Sequence, residues 1–152
     1  MSHTIYKVDG KRVKSVTTII NGQLGWSKGA LIGWTRKHCL NGDDSMVLLK
    51  DAGKIGTLAH NMIEQFIKGG KVCLDDYNAS QISQAKTAYY GFYEWQKKYK
   101  PNFLETELKL TSQKYKFGGT FDALCKVNGK LVICDWKTSS DYYPEFLIQL
   151  GA

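Results

Sequence analysis

Asn128-Gly129 stands between two apolar runs rich in β-formers, residues 121–127 and 131–136. An Asn-Gly step takes up positive φ at both central positions more readily than other pairs, and the resulting turn matches the twist of two antiparallel strands. The stretch therefore predicts a β-hairpin. Side chains alternate between faces along a strand. Leu131, Ile133, Asp135 and Lys137 then share one face, and Val132, Cys134 and Trp136 share the other. On the first strand Asp122 lies on the face of Thr120 and Leu124, so pairing across the turn can set its carboxylate beside that of Asp135.

Two acids and a lysine would thus converge in an apolar hairpin. Carboxylates are costly to bury without compensation, and a divalent cation is the usual compensation for a close pair. Oxygen ligands suit hard ions such as Mg or Mn. The alternative is that Asp122 and Asp135 face solvent on a half-exposed sheet while Lys137 makes a surface ion pair. Apolar residues on both sides of Asp135 favour a covered sheet.

Residues 5–8 and 12–20, separated by Asp9-Gly10, predict a small N-terminal hairpin. Lys7, Lys11, Arg12 and Lys14 on it are either a solubilising surface or a phosphate-contacting flap. Residues 22–25 read as a loop, followed by a helix capped by Ser27 and carrying Leu31, Ile32, Trp34 and Cys39, with Trp34 in the core. A short helix over 45–52 is expected to break at Gly53, and a second helix over 55–68 to close on Gly69-Gly70. His60 and Glu64, four residues apart, share a face of that helix. Residues 79–100 form a long amphipathic helix stopped by Pro101. Tyr90, Tyr93, Lys97 and Lys98 on it offer a second use, as a stacking and phosphate surface for single strands. Residues 103–110 read as a strand with Glu105, Glu107 and Lys109 on one face, 114–117 continue toward Gly118-Gly119, and a helix starts near Pro144.

At 152 residues and 43% apolar composition, the chain is long enough for one domain with a real core and short for two. Lys and Arg outnumber Asp and Glu by 21 to 14, a net +7. That favours a polyanionic partner or an acidic membrane surface, although a basic soluble protein would have the same balance. No apolar run approaches the ~20 residues that span a bilayer, and no signal peptide opens the chain, so a cytoplasmic location and no membrane partner are expected. Cys39, Cys73, Cys125 and Cys134 lack the close paired spacing of zinc or disulfide scaffolds; Cys125 and Cys134 read as small core residues in a reducing compartment.

Asp122 followed by Asp135-Trp136-Lys137 resembles the acid and the (D/E)XK element of the PD-(D/E)XK nuclease superfamily. Gly56-Thr57-Leu58-Ala59-His60 with Glu64 resembles the Gly-x-x-x-His helix of its RecB-like branch. Glu105-Thr106-Glu107-Leu108 is similar to the acidic strand before the first metal acid, and Gln149-Leu150 to the start of a Gln-x-x-x-Tyr helix. The likeness covers roughly residues 55–152, and residues 6–20 look like the opening of phage-encoded exonucleases of this branch.

The resemblance implies an α/β, restriction-endonuclease-like core of a helix, three mostly antiparallel strands and a returning helix. It places a single nuclease domain over 1–152, with a hairpin and helices over 1–54 and the catalytic core over 55–152. Implied functions are metal-dependent hydrolysis of DNA, foremost as an exonuclease on ends in phage-type replication, recombination or repair. The alternatives are a catalytically silent nucleic-acid-binding module and an endonuclease of the same superfamily. His60, Asp122, Asp135 and the backbone carbonyl of Trp136 are implied to hold one or two Mg or Mn ions. Lys137 is implied to orient the attacking water, Glu107 and Gln149 to complete the catalytic set, and Glu64 to support it by hydrogen bonds. No iron-sulfur cluster is expected, because the late cysteine group of some relatives is missing. Partners implied are linear ends or single strands of DNA, with a phage recombinase or single-strand-binding protein. Because residues 149–152 match only the first four positions of Gln-x-x-x-Tyr, a truncated core with an open sheet edge and self-association is also expected.

Overall fold

The computed structural model describes residues 4–26, 28–139 and 141–152, among which five helices and a five-stranded mixed sheet build an α/β fold. The hairpin forms as predicted. β4 (Phe117–Val127) and β5 (Lys130–Cys134) pair antiparallel, from Val127↔Lys130 at the turn to Ala123↔Cys134. Asn128 (φ 49°) and Gly129 (φ 77°) both adopt the left-handed conformation that such a turn requires. β3 (Asn102–Ser112) runs antiparallel along the other side of β4, with its register shifting by one between Phe103 and Glu105. Residues 113–116 turn the chain from β3 into β4: Lys116 N–H donates to the Ser112 carbonyl (2.9 Å), Tyr115 N–H donates to Ser112 Oγ (3.1 Å), and β4 begins at Phe117.

At the N-terminus β1 (Tyr6–Val8) and β2 (Lys11–Ser15) form the expected hairpin. β2 then joins the main sheet, parallel to β4 at Lys14↔Phe117 and Ser15↔Gly118. The strand was expected to reach residue 20, yet it stops at Ser15. There Ser15 Oγ accepts from Thr18 N–H (3.1 Å) and caps α1 (Val16–Gln23), which also takes in Gly22 from the expected loop. A side-chain cap is worth about 1 kcal/mol, comparable with the strand preference of the β-branched run it overrides. The hairpin is clasped to the sheet by Tyr6, whose ring lies against Gly118 and whose hydroxyl hydrogen-bonds Thr120 Oγ1 at 2.8 Å. A Cβ at position 118 would collide with that ring. Gly118→Ala should cost about 1–3 kcal/mol by overpacking, lowering Tm by several degrees. Thermal denaturation of the double variant Tyr6→Ala/Gly118→Ala should show no further penalty from the alanine at 118; an unchanged Tm in the single variant would refute the clasp.

α3 (Ser45–Lys68) is one continuous helix of 24 residues, without the expected break at Gly53. Asp44 caps its start through Met46 N–H (2.9 Å) and Val47 N–H (3.2 Å), and Gly69 (φ 70°) closes it. An interior glycine costs about 1 kcal/mol against alanine, less than what is gained where Leu58, Ala59 and Met62 bury against Ala85 of α4. α4 (Ala79–Tyr99) starts on a reciprocal Asn78/Gln81 capping box and ends before Pro101. Gln81, buried, also donates to Asp51 Oδ1 at 2.9 Å and ties the two helices.

These helices cover one face of the β4–β5 hairpin. Ala123, Cys125 and Cys134 lie buried there, packed with Ile67, Trp95 and Trp136. Both cysteines are core residues as expected, with their sulfurs 3.6 Å apart; burial, then the hydrogen bond to Cys125, pushes the Cys134 thiol up to about 12. The other face of β5 is open toward the turn, where Leu131 is 63% and Ile133 44% exposed, so the covered sheet expected there forms only at the Asp135 end, where the Asp135 side chain is buried. α2 (Lys28–Leu40) also departs from expectation, since none of its residues is buried and Trp34 lines a cavity rather than joining the core. Its expected cap, Ser27, lies outside the described residues. α5 (Pro144–Gly151) begins on Pro144 as expected and packs against α1. Among the described residues no helix is long and apolar enough to cross a membrane.

Candidate active site

The register of the three central strands decides where the acids lie. Ala123↔Cys134 is the last ladder pair between β4 and β5, and one step further along that register Asp122 stands opposite Asp135. On the other side, Thr106↔Ala123 and Leu108↔Phe121 flank the position at which Glu107 faces Asp122. Glu107, Asp122 and Asp135 thus occupy one row across the sheet. The row is also where regular pairing gives way. Glu107 has φ 53°, and β5 ends before Asp135, with Trp136 N–H donating to Asp122 Oδ2 (2.5 Å) in place of a backbone acceptor.

Alternation beyond the strand end separates the roles of the next residues. Trp136 turns into the aromatic core, its ring centroid 5.0 Å from Phe92 and 5.3 Å from Trp95. Asp135 and Lys137 turn the other way and pair with each other. Edge-to-face contacts of this kind add about 0.5–1.5 kcal/mol each beyond area burial, so Trp136 acts as the anchor that fixes its two neighbours. The Asp135 side chain is 6% exposed and that of Asp122 13%, which makes both largely desolvated.

α3 delivers His60 to this row, with Nδ1 3.3 Å from Asp122 Oδ1. The approach is close because Gly56, one turn earlier, has no side chain: a Cβ there would sit 3.3 Å from Thr138 Oγ1, directly after the Asp135–Lys137 segment. The hydrogen bond to Asp122 raises the His60 pKa above its ordinary value, against the lowering effect of burial. Glu107 is raised as well, first by burial of part of its carboxyl and then by the charges of Asp122 and Glu64. From α5, Gln149 Nε2 donates to Asp135 Oδ1 (3.3 Å) and its Oε1 accepts from Lys137 Nζ (3.3 Å). The Phe146 ring lies beneath the Lys137 ammonium at 5.2 Å.

Of the residues singled out in the sequence, the structure brings together His60, Asp122, Asp135, Lys137 and Gln149, with Glu107 beside Asp122. Glu64 instead pairs with Lys68 along α3, so no hydrogen bond from it to the acid row is seen. Thr138 and Phe146 were not singled out. Thr138 follows directly on Lys137 and was within reach of the motif, whereas Phe146 is nine residues away with no local signal. Tyr90 and Tyr93 are exposed on α4, and Lys98 lies over the Tyr99 ring at 5.0 Å.

The donor chemistry fits a hard divalent ion: two desolvated carboxylates in register, a third acid beside them and an imidazole at one end. The groups are not drawn into a ready ligand set, since among the described residues no three His, Cys, Asp or Glu side chains cluster as one. Asp122 is engaged by His60 and the Trp136 amide, and Asp135 by Lys137 and Gln149. Two cavities, of about 410 and 810 Å3, share Thr17 and Gln149 in their walls, and Asp135 lines the smaller. No family model and no curated protein matches the chain.

Proposed function

We propose that the chain is a metal-dependent nuclease of the PD-(D/E)XK type, RecB-like branch, that hydrolyses DNA phosphodiester bonds from ends. The observation that carries this reading is the register that sets Asp122 against Asp135, with Lys137 two residues on and His60 reaching Asp122 from α3. The arrangement of α3, the antiparallel β3–β5 and α5 supports the same core.

Asp122, Asp135, His60 and the backbone carbonyl of Trp136 would hold Mg or Mn, which when bound polarises a phosphoryl oxygen and lowers the pKa of a water. Lys137 brings a compact positive charge on a flexible stem to the rim of the acid row, where it can direct a water and offset charge growing on the phosphate. Gln149 holds Lys137 and Asp135 at a fixed spacing through its two amide atoms. Glu107, across from Asp122 on β3, adds a third carboxylate beside the pair. The basic surplus of the chain favours the polyanionic substrate.

Digestion of end-labelled linear DNA and of a circular DNA, each with Mg, Mn or excess EDTA, tests the reading. The expected result is metal-dependent loss of linear DNA, none in EDTA, and survival of the circle. Loss of the circle would turn the exonuclease into an endonuclease. Absence of any cleavage with either metal, or cleavage indifferent to EDTA, would overturn the proposal; the first would leave a binding module in which Lys137 and His60 keep hold of the two acids.

A further inference from the structure

The larger of the two cavities, about 810 Å3, is walled by residues of all five helices and by the segment just after Lys137. Its volume falls in the ~300–1,000 Å3 range of sites that take up organic ligands. Three aromatic rings line it: Trp34 from α2, Tyr143 at the start of α5, and Phe146, which also carries the Lys137 ammonium. Thr138 and Gln149 complete the wall on the side of the acid row, and Gln149 is itself hydrogen-bonded to Asp135 and Lys137, so the cavity adjoins the site. Glu145, the acid in the lining, is 8% exposed and meets the cavity through little surface.

α2 is the unusual wall. It carries Lys28, Arg36 and Lys37 with no acidic residue, and none of its 13 residues is buried. Lys37 stands one turn from Trp34, the spacing at which two side chains share a helix face. An aromatic face inside a cavity, with cations on the same helix and a wall shared with the candidate active site through Gln149, matches a single nucleic-acid strand: bases stack on rings while the backbone follows the positive charge. A fully paired end cannot use it, because its bases are already stacked in the duplex.

We propose that this cavity is a base-stacking subsite for an unpaired DNA nucleotide next to the scissile phosphate, with Trp34 as the stacking platform and α2 as the phosphate-following wall. The inference rests on the nuclease reading for its substrate, and it predicts a preference for unpaired ends. Stacking contributes about 1–3 kcal/mol per base, which corresponds to about a 5- to 150-fold change in affinity.

Binding of a thymidine decamer in EDTA, followed by fluorescence anisotropy of a labelled strand, measures the subsite without turnover. Trp34→Ala should weaken binding at least about fivefold, and Trp34→Phe, which restores a ring, should recover most of it. Arg36→Ala/Lys37→Ala should lower the slope of log affinity against log salt by about one to two. A blunt, fully paired duplex should bind the parent and Trp34→Ala alike. Equal decamer affinity in parent and Trp34→Ala, with circular dichroism showing both folded, overturns the subsite. So does equal weakening in the Ala and Phe variants. Because no metal is present, this failure is separate from that of the nuclease reading: a protein that cleaves in Mn but ignores Trp34 loses only the subsite, and one that binds through Trp34 but never cleaves loses only the chemistry.

Discussion

Asp135→Ala should abolish the proposed metal-dependent cleavage and leave the fold in place. The loss should exceed the roughly 10–100-fold that removing a mere supporter of a metal ligand costs, because this change removes one of the two carboxylates that define the site. Folding survives for a structural reason. Asp135 lies beyond the last ladder pair of β5, and the segment is held by Trp136 in its aromatic nest rather than by the carboxylate. Cleavage assays beside circular dichroism and thermal denaturation check both halves. Residual activity within tenfold of the parent would remove Asp135 from the chemistry, and a collapse in Tm would show that it had a structural duty instead.

Lys137→Ala behaves differently. Turnover should fall by about 100- to 1,000-fold, the cost of deleting one charge-stabilising group, while Mn still binds. Lys137 pairs with Asp135, so its removal frees that carboxylate and Mn affinity should hold or tighten. Arginine should not rescue turnover, since its planar fork is a different donor from a compact ammonium. The decisive pattern is a low kcat with undiminished Mn affinity in calorimetry. Loss of Mn binding in Lys137→Ala would mean that the lysine organises the acids rather than acting on the substrate.

What was legible in the sequence was whatever local chemistry determines. The Asn128-Gly129 turn fixes the register of β4 and β5, and from register alone the Asp122–Asp135 juxtaposition follows. Pro101, Gly69 and Pro144 mark helix ends for equally local reasons. The misreadings arise where tertiary packing competes with propensity. Gly53 does not break α3, because the helix is capped at both ends and buried along α4. The β-branched run after Ser15 becomes α1 once Ser15 caps it. Trp34 was expected in the core on its helical spacing among aliphatic residues, and spacing cannot tell a core stripe from the wall of a cavity. Gln149 meeting both Asp135 and Lys137 depends on how α5 returns to the sheet, and only the likeness of residues 149–150 to a known motif hinted at it.

Asp122 and Asp135 are proposed to act as one ion-holding pair. Titration of Mn into the parent, Asp122→Ala and Asp135→Ala by calorimetry, at one pH and ionic strength, tests it most directly. Saturable Mn binding in the parent that is lost in each single variant is the predicted result; Mn binding as tight as the parent's in either variant would contradict it.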